Sequence, residues 1–333
     1  MTFKTIDWAG TSVPALGMGC WAIGGPFSMA GRAVGWGAAD DATSKAAIAA
    51  AYDAGLRIFD TAQAYGTGHS ETLLGEVLAG KPDARIVTKV GIGTDPDTRS
   101  LTGWETDPAA LERSLDASLF RLKRDQIDLA LLHPNELSVQ EAEPVFDWLD
   151  HERAKGRVSA FGWSTDETQK AQAFANRDGF GAVELAANLF FRPQALLDTL
   201  HEDALVPLIR SPLGMGLLGG RITKDTRFAA DDVRAKDDHW LKLFDEGRPN
   251  PAFLDKIDEV RALLTADGRS LAQGAIGWLW ALDPRAIPVP GLRTPKQVAD
   301  LAGALEYGPL PAALFDEIEA LMDRPGADQT RPG

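Results

Sequence analysis

The sequence predicts an α/β protein that forms one (β/α)8 barrel, with a single domain over residues 1–333 and long loops at its C-terminal face. Short runs rich in β-branched residues alternate with helix-like patterns, which is typical of parallel strands joined by right-handed crossovers. Eight such runs favour a closed barrel, and an open doubly wound sheet stays the main alternative on pattern alone. No change of composition marks a second domain.

The predicted barrel strands are short apolar segments that end in turns. The first lies near residues 16–21 and the last near residues 286–290. The eight segments are 16–21, 57–61, 86–90, 128–133, 158–164, 182–187, 206–210 and 286–290.

Helix signals occupy the gaps between these strands. Pro108 is suited to a first helical position, and Ser138 with Glu141 matches a capping box. The predicted helices are 41–54, 70–79, 108–122, 138–156, 166–177, 193–203, 252–266, 270–282, 295–305 and 311–322. Two long segments, 24–40 and 213–251, follow strands, so we expect them on the face where barrels carry their sites. The second is long enough to form a lid.

Composition excludes several classes of protein. Hydrophobic residues make up 44% and charged residues 25%, which are values of a folded globular chain. One cysteine excludes an internal disulfide framework, and five scattered histidines leave little for a metal site, so we expect no metal. The net charge of −14 argues against a nucleic-acid partner. No signal peptide or membrane-spanning segment is visible, so we expect a cytoplasmic protein without a membrane partner, and its oligomeric state stays open.

Four polar residues fall at or just after the ends of consecutive predicted strands. Asp60, Lys89 and His133 end the second, third and fourth strands, and Tyr65 follows Asp60 by five residues. Each alone has an ordinary structural explanation, but four together indicate a site at the mouth of the barrel. A lysine at the end of an apolar strand needs a partner, and we expect that partner to be Asp60.

These residue types suit proton transfer to a carbonyl group. A nearby lysine lowers the pKa of a tyrosine, which we expect for Tyr65, and the phenol then donates its proton to a carbonyl oxygen. His133 would orient that oxygen. Proton donation is half of a carbonyl reduction, and the hydride must come from a cofactor. No GxGxxG motif opens an early helix, so a Rossmann-type dinucleotide site has no support in the sequence.

The motifs around these residues identify a resemblance. They are Asp60-Thr61-Ala62 with Tyr65-Gly66, Thr88-Lys89, Leu132-His133-Pro134, Ser211-Pro212-Leu213, Pro290-Gly291 and Arg293-Thr294. Over residues 16–305 the chain resembles the aldo-keto reductases, and most of all their bacterial general-stress and inositol-operon members. The resemblance implies a (β/α)8 barrel, NADPH as hydride donor, and a catalytic tetrad of Asp60, Tyr65, Lys89 and His133.

The resemblance also implies a cofactor site, with departures from the family pattern. Thr165 stands where relatives have asparagine, Glu184 where they have glutamine, and Leu301 where they have asparagine near adenine. Arg293 would meet the 2′-phosphate, which favours NADP, with NAD as the alternative. The candidate cofactor residues are Trp21, Ser164, Thr165, Glu184, Arg210, Ser211, Leu213, Gly216, Arg221, Gly291, Arg293, Thr294, Gln297 and Asp300.

The substrate is a small carbonyl compound or alcohol, and Trp36, Trp104 and Trp163 are the candidate pocket residues. We therefore expect an NAD(P)H-dependent oxidoreductase that interconverts an aldehyde or ketone and its alcohol. One alternative is a redox-sensing or regulatory subunit that binds the cofactor with little turnover. A weaker alternative is a barrel hydrolase that pairs Asp60 with Asp128 or Glu184.

Overall fold

Eight parallel strands form the centre of the computed structural model, which describes residues 4–8, 11–235 and 242–322. Each strand pairs with its neighbours in chain order. The first to eighth barrel strands are Gly17–Gly19, Ile58–Asp60, Arg85–Val90, Ile127–Leu132, Val158–Ser164, Phe180–Ala186, Val206–Arg210 and Ile287–Pro288.

The first and eighth strands meet and complete the barrel. Gly19 forms a parallel bridge with Gly291, and its N–H donates to the carbonyl oxygen of Pro290 at 2.8 Å. A Cβ on Gly19 would lie 2.5 Å from the Val289 carbonyl oxygen, so only glycine permits this close approach. The predicted (β/α)8 barrel is confirmed, and the open-sheet alternative is wrong.

Helices surround the sheet and connect its strands. Two begin with capping boxes, Ser138 with Glu141 and Ser270 with Gln273, because these side chains satisfy N–H groups of the first turn. The described helices are Asp41–Asp53, His69–Leu78, Pro108–Leu122, Val139–Ala154, Thr168–Phe174, Gln194–Glu202, Pro251–Leu264, Leu271–Leu282, Pro295–Ala302, Ala304–Tyr307 and Ala312–Leu321. Among the residues that the structure describes, no helix is both long and apolar enough to cross a bilayer.

An antiparallel hairpin, which the sequence analysis missed, precedes the barrel. Its strands are Thr5–Trp8 and Thr11–Pro14. Trp8 and Val13 are buried and pack against apolar strand residues inside the barrel, which include Ile58, Val87, Leu129, Leu131, Ala182, Leu208, Ile287 and Val289. The hairpin therefore closes the amino-terminal end of the barrel.

Three loops meet at the opposite end. A small sheet joins the loop after the first barrel strand to the loop after the third; its strands are Ser28–Met29, Arg32–Ala33, Ile92–Asp95 and Ser100–Trp104. Trp36 forms an antiparallel bridge with Asp232, and the Val233 N–H donates to the Gly35 carbonyl oxygen at 2.8 Å. The predicted loops 24–40 and 213–251 thus contact each other, although residues 236–241 lie outside the described part. A short hairpin, Phe244–Asp245 with Arg248–Pro249, ends the second loop.

Several predicted strand bounds are too long. The first strand stops at Gly19, since Trp21–Ile23 turns into a 3-10 helix. The eighth strand has two residues because Pro288 and Pro290 have no N–H to extend its ladder.

Candidate active site

A cavity of about 840 Å³ opens at the carboxyl ends of the strands, where a barrel places its functional groups. Its size is suited to a ligand as large as a cofactor. Most of the candidate site residues line it: Trp21, Trp36, Asp60, Tyr65, Trp104, His133, Ser164, Glu184, Arg210, Ser211, Leu213, Gly216, Arg221, Gly291, Arg293, Gln297 and Asp300.

Lys89 lies beneath the cavity floor and is fully buried. Its ammonium group donates to Asp60 Oδ1 at 2.5 Å and to the Thr61 carbonyl oxygen at 3.0 Å, and it lies 3.3 Å from Glu184 Oε1. The Ser164 hydroxyl donates to Glu184 Oε2 at 2.6 Å. The second and sixth barrel strands thus place two carboxylates around the ammonium group that the third strand carries. The partnership of Lys89 with Asp60 was expected, and that with Glu184 was not.

Burial and mutual repulsion control the charges of this cluster. Burial, followed by the charge of Glu184, raises the pKa of Asp60 to about 7, although Lys89 opposes the shift. Burial acts to lower the pKa of Lys89, but the charges of Asp60 and Glu184 outweigh it and raise that pKa above its ordinary value. Lys89 is therefore held charged.

Tyr65 and His133 lie side by side on the cavity wall. Their ring centroids are 6.0 Å apart, and the Lys89 ammonium lies 5.2 Å from the centroid of the Tyr65 ring. The expectation of a lowered tyrosine pKa is wrong for the protein by itself: burial raises the pKa of Tyr65, and the opposing effect of Lys89 is smaller. Burial, with Lys89 and Arg210, lowers the pKa of His133 well below its usual range, so its imidazole is neutral.

Tryptophans form an aromatic wall next to Tyr65. Trp21 stacks on Tyr65 with centroids 6.1 Å apart, and Trp36 meets Trp21 edge-on at 5.3 Å. Trp104 lines the cavity and is 41% exposed. Trp163 does not reach the cavity, which corrects its assignment as a pocket residue.

Trp163 instead belongs to the core between the barrel and its helices. It is completely buried against Phe146 and Phe174, and its Nε1 donates to the Pro134 carbonyl oxygen at 2.9 Å. Side chains alternate across a strand, so the residue before the cavity-facing Ser164 points outwards from the barrel.

Arg210 is paired with a residue that sequence reasoning missed. Its guanidinium donates to Asp166 Oδ2, and Asp166 Oδ1 accepts the Ala186 N–H at 2.7 Å. Arg210 is thus held by an ion pair. Thr165 does not line the cavity: it is buried, and its hydroxyl accepts the Glu167 N–H at 3.2 Å. Asp166 could have been found in the sequence from its position just after the fifth strand, at the end of the barrel where site residues lie.

The far end of the cavity is formed by the start of helix Pro295–Ala302. Thr294 caps this helix, since its hydroxyl accepts the Gln297 N–H at 3.3 Å, and it lines a small adjoining pocket with Arg293 and Gln297. The Arg293 guanidinium donates to the Trp36 carbonyl oxygen at 3.4 Å and to that of Ala38. Arg293 therefore also ties the helix start to the first long loop.

The backbone after the seventh strand leaves room for a ligand. Gly216 has a φ of 98°, which favours glycine, and a Cβ added at Gly219 would meet no atom within 4 Å.

Asp128 lies at the other end of its strand, where it accepts from Arg85 and from the Ile86 N–H. It cannot pair with Asp60, so that form of the hydrolase alternative has no geometric support. Within the described ranges, no three His, Cys, Asp or Glu residues are placed to hold a metal ion.

Comparison with known proteins identifies one family over most of the chain. The model of the Aldo/keto reductase family matches residues 15–323. Aldo-keto reductase YhdN of Bacillus subtilis is 28% identical, covering 91% of this chain and 88% of its own. Aldo-keto reductase yakc [NADP(+)] of Schizosaccharomyces pombe is 25% identical, with coverage of 97% and 92%. A probable voltage-gated potassium channel subunit beta of Oryza sativa is 25% identical, with 97% of both chains covered.

A solved structure gives the same answer for the fold. The glycerol dehydrogenase of Gluconobacter oxydans superposes with a TM-score of 0.80 at 28% identity, covering 100% of this chain and 99% of its own. Fold and family model together define a (β/α)8 barrel of an oxidoreductase family. The chain belongs to the aldo/keto reductase family.

Proposed function

We propose that this protein is an NADP(H)-dependent oxidoreductase that interconverts an aldehyde or ketone and its alcohol. The observation that carries the proposal is the placement of Tyr65 and His133 on the cavity wall, above a lysine that is buried between carboxylates. Family membership supports the class of reaction, and the relative named with NADP(+) supports the cofactor.

Tyr65 acts as the general acid in the reductive direction. Because burial raises the pKa of its phenol, the proton is present at neutral pH and available to a carbonyl oxygen. The ammonium of Lys89, 5.2 Å from the ring centroid, stabilises the phenolate that remains after donation. Asp60 holds Lys89 in place through the 2.5 Å hydrogen bond. In the oxidative direction the same phenolate accepts the proton.

His133 and the tryptophans position the substrate. A neutral imidazole can donate one hydrogen bond to the substrate oxygen, and His133 lines the cavity with its ring centroid 6.0 Å from that of Tyr65. Trp21 stacks on Tyr65 and Trp36 packs against Trp21, so this aromatic wall excludes water from the place where the oxygen binds.

The remaining cavity residues fit a nicotinamide dinucleotide. Ser164 and Glu184 at the floor would hold the nicotinamide end, and the glycine-containing segment 213–221 gives the pyrophosphate close access to the backbone. Arg293 and Gln297, beside the start of a helix, would hold the adenosine end and its 2′-phosphate. When bound, the cofactor supplies the hydride that the protein lacks.

The test separates proton transfer from cofactor binding. We expect Tyr65→Phe to lower kcat by about 100-fold or more, because a general acid contributes that much, and to leave the Kd for NADPH within about twofold. Calorimetric titration and turnover on a panel of aldehydes and ketones measure the two effects. Tyr307→Phe is the matched control, since Tyr307 lies away from the cavity and should keep full activity. Full turnover in Tyr65→Phe would refute the mechanism.

A second candidate is a regulatory subunit that binds the cofactor and turns over little. The rice relative named as a potassium channel subunit favours it. In that case the protein would bind NADPH tightly but reduce no member of the panel faster than Tyr65→Phe does.

A further inference from the structure

Above a pH of about 7, where Asp60 is ionised, the cavity floor carries more negative than positive charge. Glu184, Asp60 and Lys89 are 2%, 5% and 1% exposed, so bulk water screens none of them well. Both carboxyl groups line the cavity, whereas the ammonium group lies behind them. Of the other ionisable groups at the floor, Arg210 is neutralised by Asp166 and His133 is uncharged. With Glu184 ionised, a positive group in the cavity would therefore meet a net attractive potential.

Glu184 is held in place by donors on both of its oxygens. Ser164 donates to Oε2 at 2.6 Å, and the Lys89 ammonium lies 3.3 Å from Oε1. Each carboxylate oxygen can accept more than one hydrogen bond, so Glu184 keeps accepting capacity towards the cavity. Glutamine has nearly the same shape and would keep a hydrogen bond from Ser164, but it has no charge. The negative charge is thus a separable property of this position.

We infer that the carboxylate of Glu184 makes the cavity bind the oxidised nicotinamide, whose ring is positively charged, more tightly than the neutral reduced ring. The inference rests on the proposed function. Tyr65 delivers a proton to the oxygen of a carbonyl whose carbon exchanges the hydride. The reacting ring must therefore lie within reach of the floor that Glu184 lines.

The expected preference follows from the charge difference between the two redox forms. They carry the same phosphates and differ by one unit of charge on the ring, so their affinity ratio reports the potential at the floor. A buried charge within a few ångströms changes such a ratio by about tenfold or more. A tenfold preference for the oxidised form lowers the two-electron midpoint potential of the bound couple by about 30 mV. NADP⁺ would then also be a strong product inhibitor of carbonyl reduction.

The experiment is a set of calorimetric titrations with NADP⁺ and NADPH. For the wild-type protein we expect the ratio of the NADPH Kd to the NADP⁺ Kd to exceed about 10, and Glu184→Gln should lower it by about tenfold. Glu136→Gln is the matched control, because Glu136 lines the same cavity but is exposed, so its charge is screened. This control should change the ratio by less than about twofold.

The outcomes separate the inference from the function. A wild-type ratio of one or below overturns the inference without any variant. An unchanged ratio in Glu184→Gln, or an equal change in Glu136→Gln, overturns it while NADP(H) binding still supports the proposed function. Failure of the wild-type protein to bind either form overturns both.

Discussion

Replacing Glu184 with glutamine should reduce a loss of stability that the wild-type protein undergoes as the pH rises. The cause is the position of Asp60, whose carboxyl is buried beside a second carboxylate, so that its ionisation in the folded protein is unfavourable. Without the charge of Glu184, Asp60 keeps Lys89 as its partner and loses the repulsion. Its pKa should then fall towards the ordinary range.

The magnitude follows from the difference between folded and unfolded pKa values. In the folded protein the pKa of Asp60 is about 7, whereas its ordinary value is 3.8. A raised folded pKa stabilises the protein below the unfolded value, and this stabilisation is lost as the pH rises through the folded value. Each pH unit in that window changes the free energy of unfolding by about 1.4 kcal/mol. Between about pH 5.5 and about pH 8.5 the wild type should lose about 2 kcal/mol from this group.

Urea unfolding of the wild type and Glu184→Gln at both pH values measures the effect. Relative to the wild type, Glu184→Gln should recover part of the about 2 kcal/mol between the lower and the higher pH, because the burial of Asp60, the largest cause of its raised pKa, remains in the variant. Asp60→Asn, which removes the titrating group itself, is the control and should recover the whole of it. The reasoning is refuted if the difference in free energy of unfolding between wild type and variant stays constant within about 0.5 kcal/mol from the lower pH to the higher.

Two further predictions concern residues outside the chemistry. Trp163→Ala should lower the free energy of unfolding by about 3–5 kcal/mol, because it empties a core position. Trp104 is exposed in the cavity, so Trp104→Ala should lower the free energy of unfolding by about 0.5 kcal/mol or less and should instead raise KM. Urea unfolding and steady-state kinetics check both, and an equal loss of stability would contradict the placement of Trp163. Glu71→Gln should destabilise by about 2 kcal/mol, since it leaves the partly exposed Arg121 without the carboxylate that lies 2.7 Å away. Glu76→Gln on the surface is its control, and equal unfolding midpoints would contradict a structural role for Glu71.

Much of the barrel could be predicted because its strands are buried on both faces and therefore form continuous apolar runs. The bounds of the fifth and seventh strands, Val158–Ser164 and Val206–Arg210, agree with the prediction. The N-terminal hairpin was missed because its strands have four residues each and carry polar residues on their exposed side. The alternation of Ile6, Trp8 and Val13 was the available signal, but its length is at the limit of what periodicity can detect.

The site could be located from the sequence, but its electrostatics could not. Strand order alone brings Asp60 next to Lys89, because carboxyl ends of neighbouring parallel strands meet. The pKa of Tyr65 was predicted with the wrong sign, since the charge of Lys89 was visible in the sequence while burial was not. The third member of the lysine cluster, Glu184, lies three strands further along the sheet from Lys89, and only the curvature of the barrel brings it within 3.3 Å.

The N-terminal hairpin has a consequence for how protons return to the site. Trp8 and Val13 close one end of the barrel over an apolar layer, so solvent exchange with the Lys89 cluster takes place through the cavity at the other end. Once ligands fill that cavity, a proton that leaves Tyr65, Lys89 or the two carboxylates cannot be replaced from solvent until one ligand leaves. Under the proposed function, each turnover would therefore draw on a proton that was loaded beforehand, and reprotonation would become part of product release rather than of the chemical step.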